Sequence, residues 1–310
     1  MCSSHDWILS SAARPRVVRC RACGLAYVNP RPTSAQIGKY YPADYAPYRH
    51  RDEKSRQRGV RGAMLRWAGG APAVRPNAMA CAAMRLLSLV RRPETFGFGV
   101  PYQGQGRLLD FGCGGGEFLR RMQSLGWSVT GVDFSQEAVD RVRSVGIEAH
   151  QGSLPNALLA GRRFDVITMR MSLEHVFEPV AVVKAAAELL EVGGKLVIIV
   201  PNFAAWDRTH FQEAWFSLDM PRHLLHFDPS SMRKLMEKAG LQVQTMRPTA
   251  DDGILRKSLA LQVQREGNGA PGRGWGDRLL RIKPIRKCFG SYLTRRGWGN
   301  DLLAVGVKTA

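Results

Sequence analysis

The sequence predicts an α/β fold built on a doubly wound, mostly parallel seven-stranded sheet. Short apolar runs alternate with amphipathic helical segments between about residues 107 and 247, the pattern of parallel strands covered on both faces. The first apolar run reaches Asp110, and the glycine-rich turn Gly112-Cys113-Gly114-Gly115-Gly116 then leads directly into a helical segment. In doubly wound folds, such a strand–turn–helix junction lies where ligands bind.

Seven apolar runs are expected to form the strands, and the last is expected to pair antiparallel with the sixth. The pair Gly193-Gly194 predicts a turn before the fifth strand. The predicted strands cover residues 108–110, 128–133, 147–150, 164–169, 195–202, 241–245 and 302–307.

Capping residues and glycines mark the helix boundaries. Ser135 and either Asp228 or Ser230 are expected N-caps, because their side-chain oxygens can accept from the first free backbone N–H groups. A glycine follows the end of each of the three later helices. The predicted helices cover residues 77–90, 115–125, 135–145 and 229–238.

Charge is unevenly distributed along the chain. The formal net charge is +19, yet residues 108–254 contain 15 basic and 18 acidic side chains. The excess lies in residues 1–107, with 18 basic and 5 acidic, and in residues 255–310, with 12 and 3. Basic flanks favour an anionic partner, although a charged periphery also serves solubility.

The predicted organisation follows this division. It consists of a Cys-rich head over residues 1–45, a basic helical linker over 46–100, and a main domain over 101–310 with a basic insertion at 248–299. No run of 18 consecutive apolar residues occurs, and the amino terminus lacks the pattern of a signal peptide. We therefore expect a cytoplasmic protein without a membrane span.

Five residues form a predicted cofactor cradle. Side chains at Gly112, Gly114 and Gly116 would block close approach of a ligand to the backbone, so the glycine-rich turn suits a nucleotide-like group. Asp133 ends the second strand, 21 positions after Gly112, and is expected to accept hydrogen bonds from both ribose hydroxyls. Asp110 would disfavour a pyrophosphate and favour a cationic amino group. NAD enzymes use a similar turn, and a tight turn without a ligand is the remaining alternative. The cradle consists of Asp110, Gly112, Gly114, Gly116 and Asp133.

The glycine turn and the motifs that follow it make the chain resemble Rossmann-type S-adenosylmethionine-dependent methyltransferases over residues 107–247. The likeness includes Phe164–Met169, the following Leu173-Glu174-His175-Val176, and the segment 189–202. It is similar in particular to bacterial methyltransferases that carry a small Cys-rich head and often act on sugars. The resemblance implies a Rossmann-like methyltransferase sheet and S-adenosyl-L-methionine as cofactor. Relatives usually place an acidic residue near the adenine where this chain has Ser153, so the adenine contact departs from their pattern.

The segment Trp215–Phe227 is the predicted site of substrate chemistry, because it follows the fifth strand at the carboxyl edge of the sheet. Methyl transfer to a carbon or a hydroxyl needs a base, and histidine titrates in the right range. The resemblance to sugar-nucleotide carbon methyltransferases aligns their base histidine with His223. Asp219 would orient it, and Arg222 would pair with a phosphate or carboxylate. Alternatively, His223 and His226 only hydrogen-bond the loop to the core.

Glu174 and His175 follow the fourth strand, at the mouth of the site in folds of this kind. His175 is a further catalytic candidate. The pair would equally well hold the cofactor or cap the following helix.

The head contains four soft ligands in two pairs, Cys2 with His5 and Cys20 with Cys23. In each pair two residues separate the ligands, and two such pairs can bind one zinc ion tetrahedrally. A head with so few apolar side chains would need a bound metal ion to stay folded. Relatives usually show two Cys-x-x-Cys pairs, so His5 replaces a thiolate. The alternative is a head with reduced, unligated thiols.

The predicted function is methyl transfer from S-adenosylmethionine to a small anionic acceptor, such as a nucleotide-linked sugar or a glycan precursor. The alternatives are an RNA or protein methyltransferase with substrate-gripping basic flanks, and a non-catalytic nucleic-acid-binding protein on the same scaffold. No Asn/Asp-Pro-Pro-Tyr/Phe motif follows the fourth strand, which disfavours methylation of exocyclic amines of bases.

Overall fold

A computed structural model describes residues 15–42, 102–266 and 275–309. The strands are β1 (Arg16–Arg19), β2 (Ala26–Asn29), β3 (Arg107–Phe111), β4 (Ser128–Asp133), β5 (Glu148–Gln151), β6 (Phe164–Arg170), β7 (Leu190–Pro201), β8 (Leu225–His226), β9 (Leu241–Thr249) and β10 (Asp301–Lys308). Seven of them form one sheet in the order β5-β4-β3-β6-β7-β10-β9. Strands β3, β4 and β5 pair in parallel, and β10 pairs antiparallel with β9. The predicted α/β class and the antiparallel last pair are confirmed.

The helices follow the expected caps. Ser135 Oγ accepts from the Ala138 N–H at 3.3 Å, and Asp228 Oδ1 accepts from the Ser231 N–H at 2.8 Å, so Asp228 rather than Ser230 is the N-cap. The helices are α1 (Ser34–Ile37), α2 (Glu117–Ser124), α3 (Gln136–Ser144), α4 (Pro179–Leu189), α5 (Trp206–Phe211), α6 (Pro229–Lys238), α7 (Asp252–Glu266), α8 (Trp275–Leu280) and α9 (Lys283–Arg296). The expected turn at Gly193-Gly194 lies inside β7, which begins directly after α4. The predicted helix over 77–90 lies outside the described residues.

The chain divides into two compact units. One contains the described residues from 102 to Thr168 together with Ala185–Val197. Its core is formed where β4 packs against α2 and α3, and where β5 packs against α3. Leu119 and Val142 are fully buried there, and each such side chain contributes about 1.5–3 kcal/mol to stability.

The other unit contains the described residues 15–42, Met169–Lys184 and Ile198–Thr309. Strands β1 and β2 form a hairpin, and β8 pairs with β2 to give a three-stranded antiparallel sheet. The long-range pairing of Ala26 with His226 supplies the hydrogen bonds that the short head segment cannot supply alone.

Most of the basic insertion is helical. Helices α7 and α9 bury Leu255, Leu259 and Leu293 in an apolar cluster with Trp215 and Phe211. Their basic side chains are largely exposed, as in α9, where Lys283, Lys287, Arg295 and Arg296 face solvent. Across the described ranges, we find no helix whose length and apolar character would let it cross a membrane.

Candidate cofactor cradle and carboxylate–histidine cluster

The glycine turn follows β3 and leads into α2. Gly112, Gly114 and Gly116 have φ angles of 76°, 51° and 74°, in the left-handed region that favours glycine. The Gly112 N–H donates to the Val132 carbonyl at 2.7 Å, which ties the turn to β4. A Cβ atom on Gly116 would lie 2.8 Å from Val142 Cγ2, so glycine is also needed for the close approach of α2 to α3.

Asp133 is fixed at the end of β4 by two backbone donors. Its Oδ2 accepts from the Gly114 N–H at 2.8 Å, and its Oδ1 accepts from the Ser135 N–H at 3.0 Å. Each carboxylate oxygen has a second lone pair, so both keep the capacity to bind a hydroxyl. Burial raises the pKa of Asp133 above its usual value, although the backbone N–H groups lower it in part.

Asp110 lies at the end of β3 and is almost fully buried. Its Oδ1 accepts from the Thr168 hydroxyl at 2.6 Å, and Thr168 belongs to β6, the neighbouring strand. The neighbouring strand therefore holds the carboxylate beside the glycine turn.

Two further residues lie just after the ends of β4 and β5. Ser153, expected near the adenine, is exposed two residues after β5. Phe134, which the sequence analysis missed, follows Asp133 directly, and 49% of its surface is exposed. A flat apolar ring at that point is suited to stacking on a purine base. The available signal was an aromatic residue at the first position after a strand that ends in a carboxylate.

The cradle residues fit S-adenosylmethionine. The left-handed glycines keep Cβ atoms away from the turn, Asp133 retains lone pairs for hydroxyls, and Asp110 supplies negative charge beside the turn. Negative charge suits a cationic amino group, whereas a pyrophosphate would be repelled.

A second group of functional side chains lies in the other unit. Glu174 belongs to a short 3-10 helix that follows β6, and it is 1% exposed. The Nε2 atoms of His175 and His223 each lie 4.0 Å from its Oε1. The two imidazole rings meet edge to face, with centroids 4.7 Å apart. We call these three residues the carboxylate–histidine cluster.

Both histidine rings are oriented by backbone carbonyls. His175 Nδ1 lies 3.0 Å from the Arg222 carbonyl and 2.8 Å from the Tyr41 hydroxyl, and His223 Nδ1 lies 2.8 Å from the Ser217 carbonyl. A carbonyl oxygen can only accept, so the contact with Ser217 places the proton of neutral His223 on Nδ1. The contact with the Arg222 carbonyl favours the same tautomer for His175, whose Nδ1 also contacts the Tyr41 hydroxyl. In a neutral imidazole the Nε2 atom is then an acceptor with a free lone pair.

Burial keeps the cluster in its uncharged form. It lowers the pKa of His175 to about 3 and that of His223 to about 4, and it raises the pKa of Glu174 to about 8. Among the described residues, neither Glu174 oxygen has a hydrogen-bond partner. Of the alternatives for the Glu174–His175 pair, capping of the following helix by the Glu174 carboxyl is therefore not seen in the described residues.

Asp219 and Arg222 pair with each other. Burial alone would raise the pKa of Asp219, but the Arg222 guanidinium bonds to both of its oxygens and, with the nearby histidines, holds that pKa below its usual value. Asp219 Oδ2 lies 3.7 Å from His223 Nε2, too far for a hydrogen bond, so the Ser217 carbonyl orients His223 instead. His226 is buried in β8 and pairs with the head strand β2, which gives it a structural position.

The described half of the predicted zinc set lies on the hairpin of the head. Cys20 and Cys23 occupy the turn between β1 and β2, where the Cys20 carbonyl accepts from the Gly24 N–H at 2.9 Å. Cys2 and His5 lie outside the described residues. Within the ranges that the structure covers, the carboxylate–histidine cluster is the one group of three or more ligand side chains close enough to share a metal ion.

Comparison with known proteins identifies a methyltransferase domain in this chain. The sequence profile of the methyltransferase domain matches residues 79–246. The chain is 32% identical over 151 residues to a ubiquinone biosynthesis O-methyltransferase of Xanthomonas oryzae pv. oryzae and 30% identical over 149 residues to the enzyme of that name in Aromatoleum aromaticum. These alignments cover 44% of this chain and 63% and 64% of the relatives. The chain thus spans less than two thirds of the length of these relatives.

A solved structure shows the same fold. A chain from the complex between the Haloferax volcanii Trm112 methyltransferase activator and a methyltransferase superposes with a TM-score of 0.50 and 18% identity. The superposition covers 77% of this chain and 100% of that chain. Because the matched profile covers more than half of the sequence, the chain belongs to the methyltransferase domain family.

Proposed function

We propose that the protein transfers the methyl group of S-adenosylmethionine to a hydroxyl oxygen of its acceptor. The observation that carries this proposal is the cofactor cradle inside the matched methyltransferase domain. Its glycine turn and its two buried carboxylates suit a nucleoside that carries a cationic amino group.

Each cradle residue has a defined task in this proposal. Asp133 accepts from the ribose hydroxyls with the lone pairs that Gly114 and Ser135 leave unused. Asp110 faces the amino group of the methionine moiety. Phe134 stacks on the adenine in place of the acidic contact that relatives make at the position of Ser153.

The relatives favour oxygen as the acceptor atom, because their name is that of an O-methyltransferase. The pairing of Arg222 with Asp219 argues in the same direction. An arginine already bound to a carboxylate is less available for a phosphate, so the support for a nucleotide sugar is weaker than the sequence suggested. Because these relatives are named for ubiquinone biosynthesis, and ring hydroxyls of quinone precursors are phenols, we propose phenolic hydroxyls as the first acceptor class and retain nucleotide sugars as the second.

The reaction is a direct displacement at the methyl carbon. The acceptor oxygen must lose its proton and lie in line with the carbon–sulfur bond, so catalysis consists mainly of alignment and proton removal. We assign proton removal to the carboxylate–histidine cluster, with His223 Nε2 as the acceptor of the proton. The positive charge that develops on His223 would face the oxygens of Glu174 and Asp219 at 4.0 and 3.7 Å.

The test is incubation of the full chain with labelled S-adenosylmethionine and three acceptor panels: phenols, nucleotide sugars and RNA. We expect label in the phenol fraction, in a product that is stable as an ether. Label confined to the sugar fraction would reassign the acceptor, and no label in any fraction, with S-adenosylmethionine bound, would contradict the enzymatic proposal.

The basic flanks support a second candidate, an RNA or protein methyltransferase or a non-catalytic nucleic-acid-binding protein. The described part of the carboxyl-terminal basic flank exposes many basic side chains, including those of Lys283, Lys287, Arg295 and Arg296 in α9. For a polyanionic partner we expect binding that weakens steeply as salt rises. The RNA panel of the same experiment, repeated at two salt concentrations, tests this candidate.

We also propose zinc for the head, with Cys2, His5, Cys20 and Cys23 as ligands. The support is the position of Cys20 and Cys23 on a tight hairpin turn, where both thiols can face one ion. Metal analysis of protein purified without chelator should find zinc that is lost in the Cys20→Ser/Cys23→Ser double variant.

A further inference from the structure

Three hydrogen-bond acceptors converge in the carboxylate–histidine cluster. The Nε2 atoms of His175 and His223 bear lone pairs in the tautomer in which each Nδ1 donates to its neighbouring carbonyl. Both Nε2 atoms face Glu174 Oε1 at 4.0 Å. Within the described chain, no donor reaches either oxygen of Glu174.

Such an arrangement is unfavourable without a positive charge at its centre. A buried polar group without a partner is destabilising, and here an almost fully buried carboxyl faces two further acceptors. A proton on Glu174 would neutralise the carboxylate. It would not form a hydrogen bond to either ring in this geometry, because 4.0 Å exceeds the length of an O–H···N bond by about 1 Å.

We propose that the carboxylate–histidine cluster binds one divalent transition-metal ion through Glu174, His175 Nε2 and His223 Nε2. Two imidazoles and one carboxylate are a ligand set suited to Zn²⁺, Co²⁺ or Fe²⁺, whereas Mg²⁺ prefers oxygen ligands and retained water. Nothing in the methyltransferase domain match assigns a metal to these residues.

The geometry allows such an ion after a small contraction. The ligand atoms of the three residues lie within 4.8 Å of one another. Ligands at about 2.0–2.1 Å from a metal in tetrahedral geometry stand about 3.4 Å apart. The 4.0 Å separations therefore need to shorten by about half an ångström, which side-chain rotation can supply.

The surroundings of the two histidines also match those of metal ligands. Metal-bound histidines usually donate their second ring N–H to a carbonyl or carboxylate, which fixes the tautomer and aims the lone pair. His175 and His223 make this contact with the carbonyls of Arg222 and Ser217.

Metal binding depends only on these three side chains, whereas a catalytic use of the ion rests on the proposed function. In that use, the ion would hold the acceptor oxygen at an open coordination position and favour its ionised form. The His223 lone pair would then bind the ion rather than the acceptor proton, and the released proton would pass to solvent.

The test uses the full chain carrying Cys20→Ser and Cys23→Ser, so that head thiolates contribute no binding. After removal of metals, Co²⁺ is titrated by calorimetry and by its visible absorption, with Mg²⁺ as the comparison ion. We expect one Co²⁺ per chain, a spectrum of nitrogen and oxygen coordination, and a higher unfolding temperature with Co²⁺ but not with Mg²⁺.

Glu174→Gln and His223→Ala should each weaken Co²⁺ binding at least 10–100-fold. His210→Gln is the matched control, because His210 Nε2 also faces a carboxylate, Asp277, at 2.8 Å, but outside the cluster. Circular dichroism of each variant confirms that the fold persists. Failure of the parent to bind Co²⁺, or unchanged affinity in Glu174→Gln and His223→Ala, would overturn the proposal.

Methyl transfer is measured on the same samples to separate the two proposals. One bound Co²⁺ without transfer to any acceptor supports the metal site and counts against the proposed function alone. Transfer by a protein that binds no Co²⁺ overturns the metal site and leaves the proposed function standing.

Discussion

The cofactor cradle and the carboxylate–histidine cluster differ in how their buried carboxyl groups are satisfied. In the cradle, Asp133 accepts from two backbone N–H groups and Asp110 accepts from Thr168. In the cluster, neither oxygen of Glu174 has a hydrogen-bond partner among the described residues. The cradle is therefore arranged before a ligand arrives, whereas the cluster needs a proton or a cation to become stable.

Under the proposed function, this difference separates cofactor binding from catalysis. A site that only holds a nucleoside benefits from fixed donors and acceptors, because little reorganisation is then needed on binding. A site that handles charge retains strained or unsatisfied groups, which the rest of the fold must stabilise. On this basis we expect cradle variants to change affinity and cluster variants to change rate.

The largest effect is expected for His223→Ala. It should lower turnover by about 10²–10⁴-fold and leave S-adenosylmethionine affinity nearly unchanged, whether His223 accepts the proton or binds a metal. Single-turnover kinetics and calorimetry measure the two quantities. His226→Ala is the control, because a buried side chain of β8 should show its loss as lower thermal stability. Full turnover by His223→Ala with an oxygen acceptor would remove the chemical role of the cluster.

Asp133→Ala should lower the affinity for the cofactor, whereas His223→Ala should lower turnover. Loss of the ribose acceptor should cost about 1.5–3 kcal/mol of binding free energy for S-adenosylmethionine and for S-adenosylhomocysteine. Equal loss for both ligands would show that Asp133 contacts the nucleoside rather than the methyl-bearing sulfur. Asp140→Ala, an exposed carboxylate of α3, is the matched control and should bind like the parent. Unchanged affinity in Asp133→Ala would contradict the cradle assignment.

Asp207 lies in the unit that contains the cluster, and its variants test how the ionisation of a buried carboxyl group affects the stability of that unit. Burial raises its pKa to about 6, and within the described structure its Oδ2 has no hydrogen-bond partner. The folded chain therefore holds a proton between about pH 4 and 6 that the unfolded chain releases. This contribution to stability is present below pH 4 and is lost as the pH rises through 6. At pH 8, the free energy of unfolding of Asp207→Asn, measured in urea, should thus exceed that of the parent by up to about 3 kcal/mol. At pH 4, the two proteins should be equally stable.

Asp228 is the control of opposite sign. Burial raises its pKa in part, but the Ser231 N–H and Arg19 bring it below its usual value, so its contribution is present at neutral pH and is lost on acidification. Asp228→Asn should therefore be less stable than the parent at pH 8 and approach it at low pH. A stability difference independent of pH in Asp207→Asn would contradict ionisation as its cause.

The sequence predicted the cradle because its parts are close in the chain and follow fixed rules. Left-handed turns require glycine, and a carboxylate at the end of the next parallel strand must lie beside the turn. It predicted His223 and His175 as candidates, but not that both would face Glu174. That arrangement depends on contacts 47 and 134 residues apart, from His175 to the Arg222 carbonyl and to the Tyr41 hydroxyl. No local pattern encodes them.

The smallest expected effect is a difference in stability between alanine variants at two left-handed glycines. Gly116 and Gly146 have similar φ angles of 74° and 77°, yet a Cβ on Gly116 would lie 2.8 Å from Val142 Cγ2, and one on Gly146 would meet no atom within 4 Å. Alanine at either position should cost about 1–2 kcal/mol for the left-handed backbone, and Gly116→Ala should cost about 1 kcal/mol more for overpacking. Urea unfolding of both variants, and of Gly116→Ala/Val142→Ala, measures this difference. Equal stability of the two single variants would mean that the turn relaxes freely, and the cradle would then not be arranged before its ligand arrives.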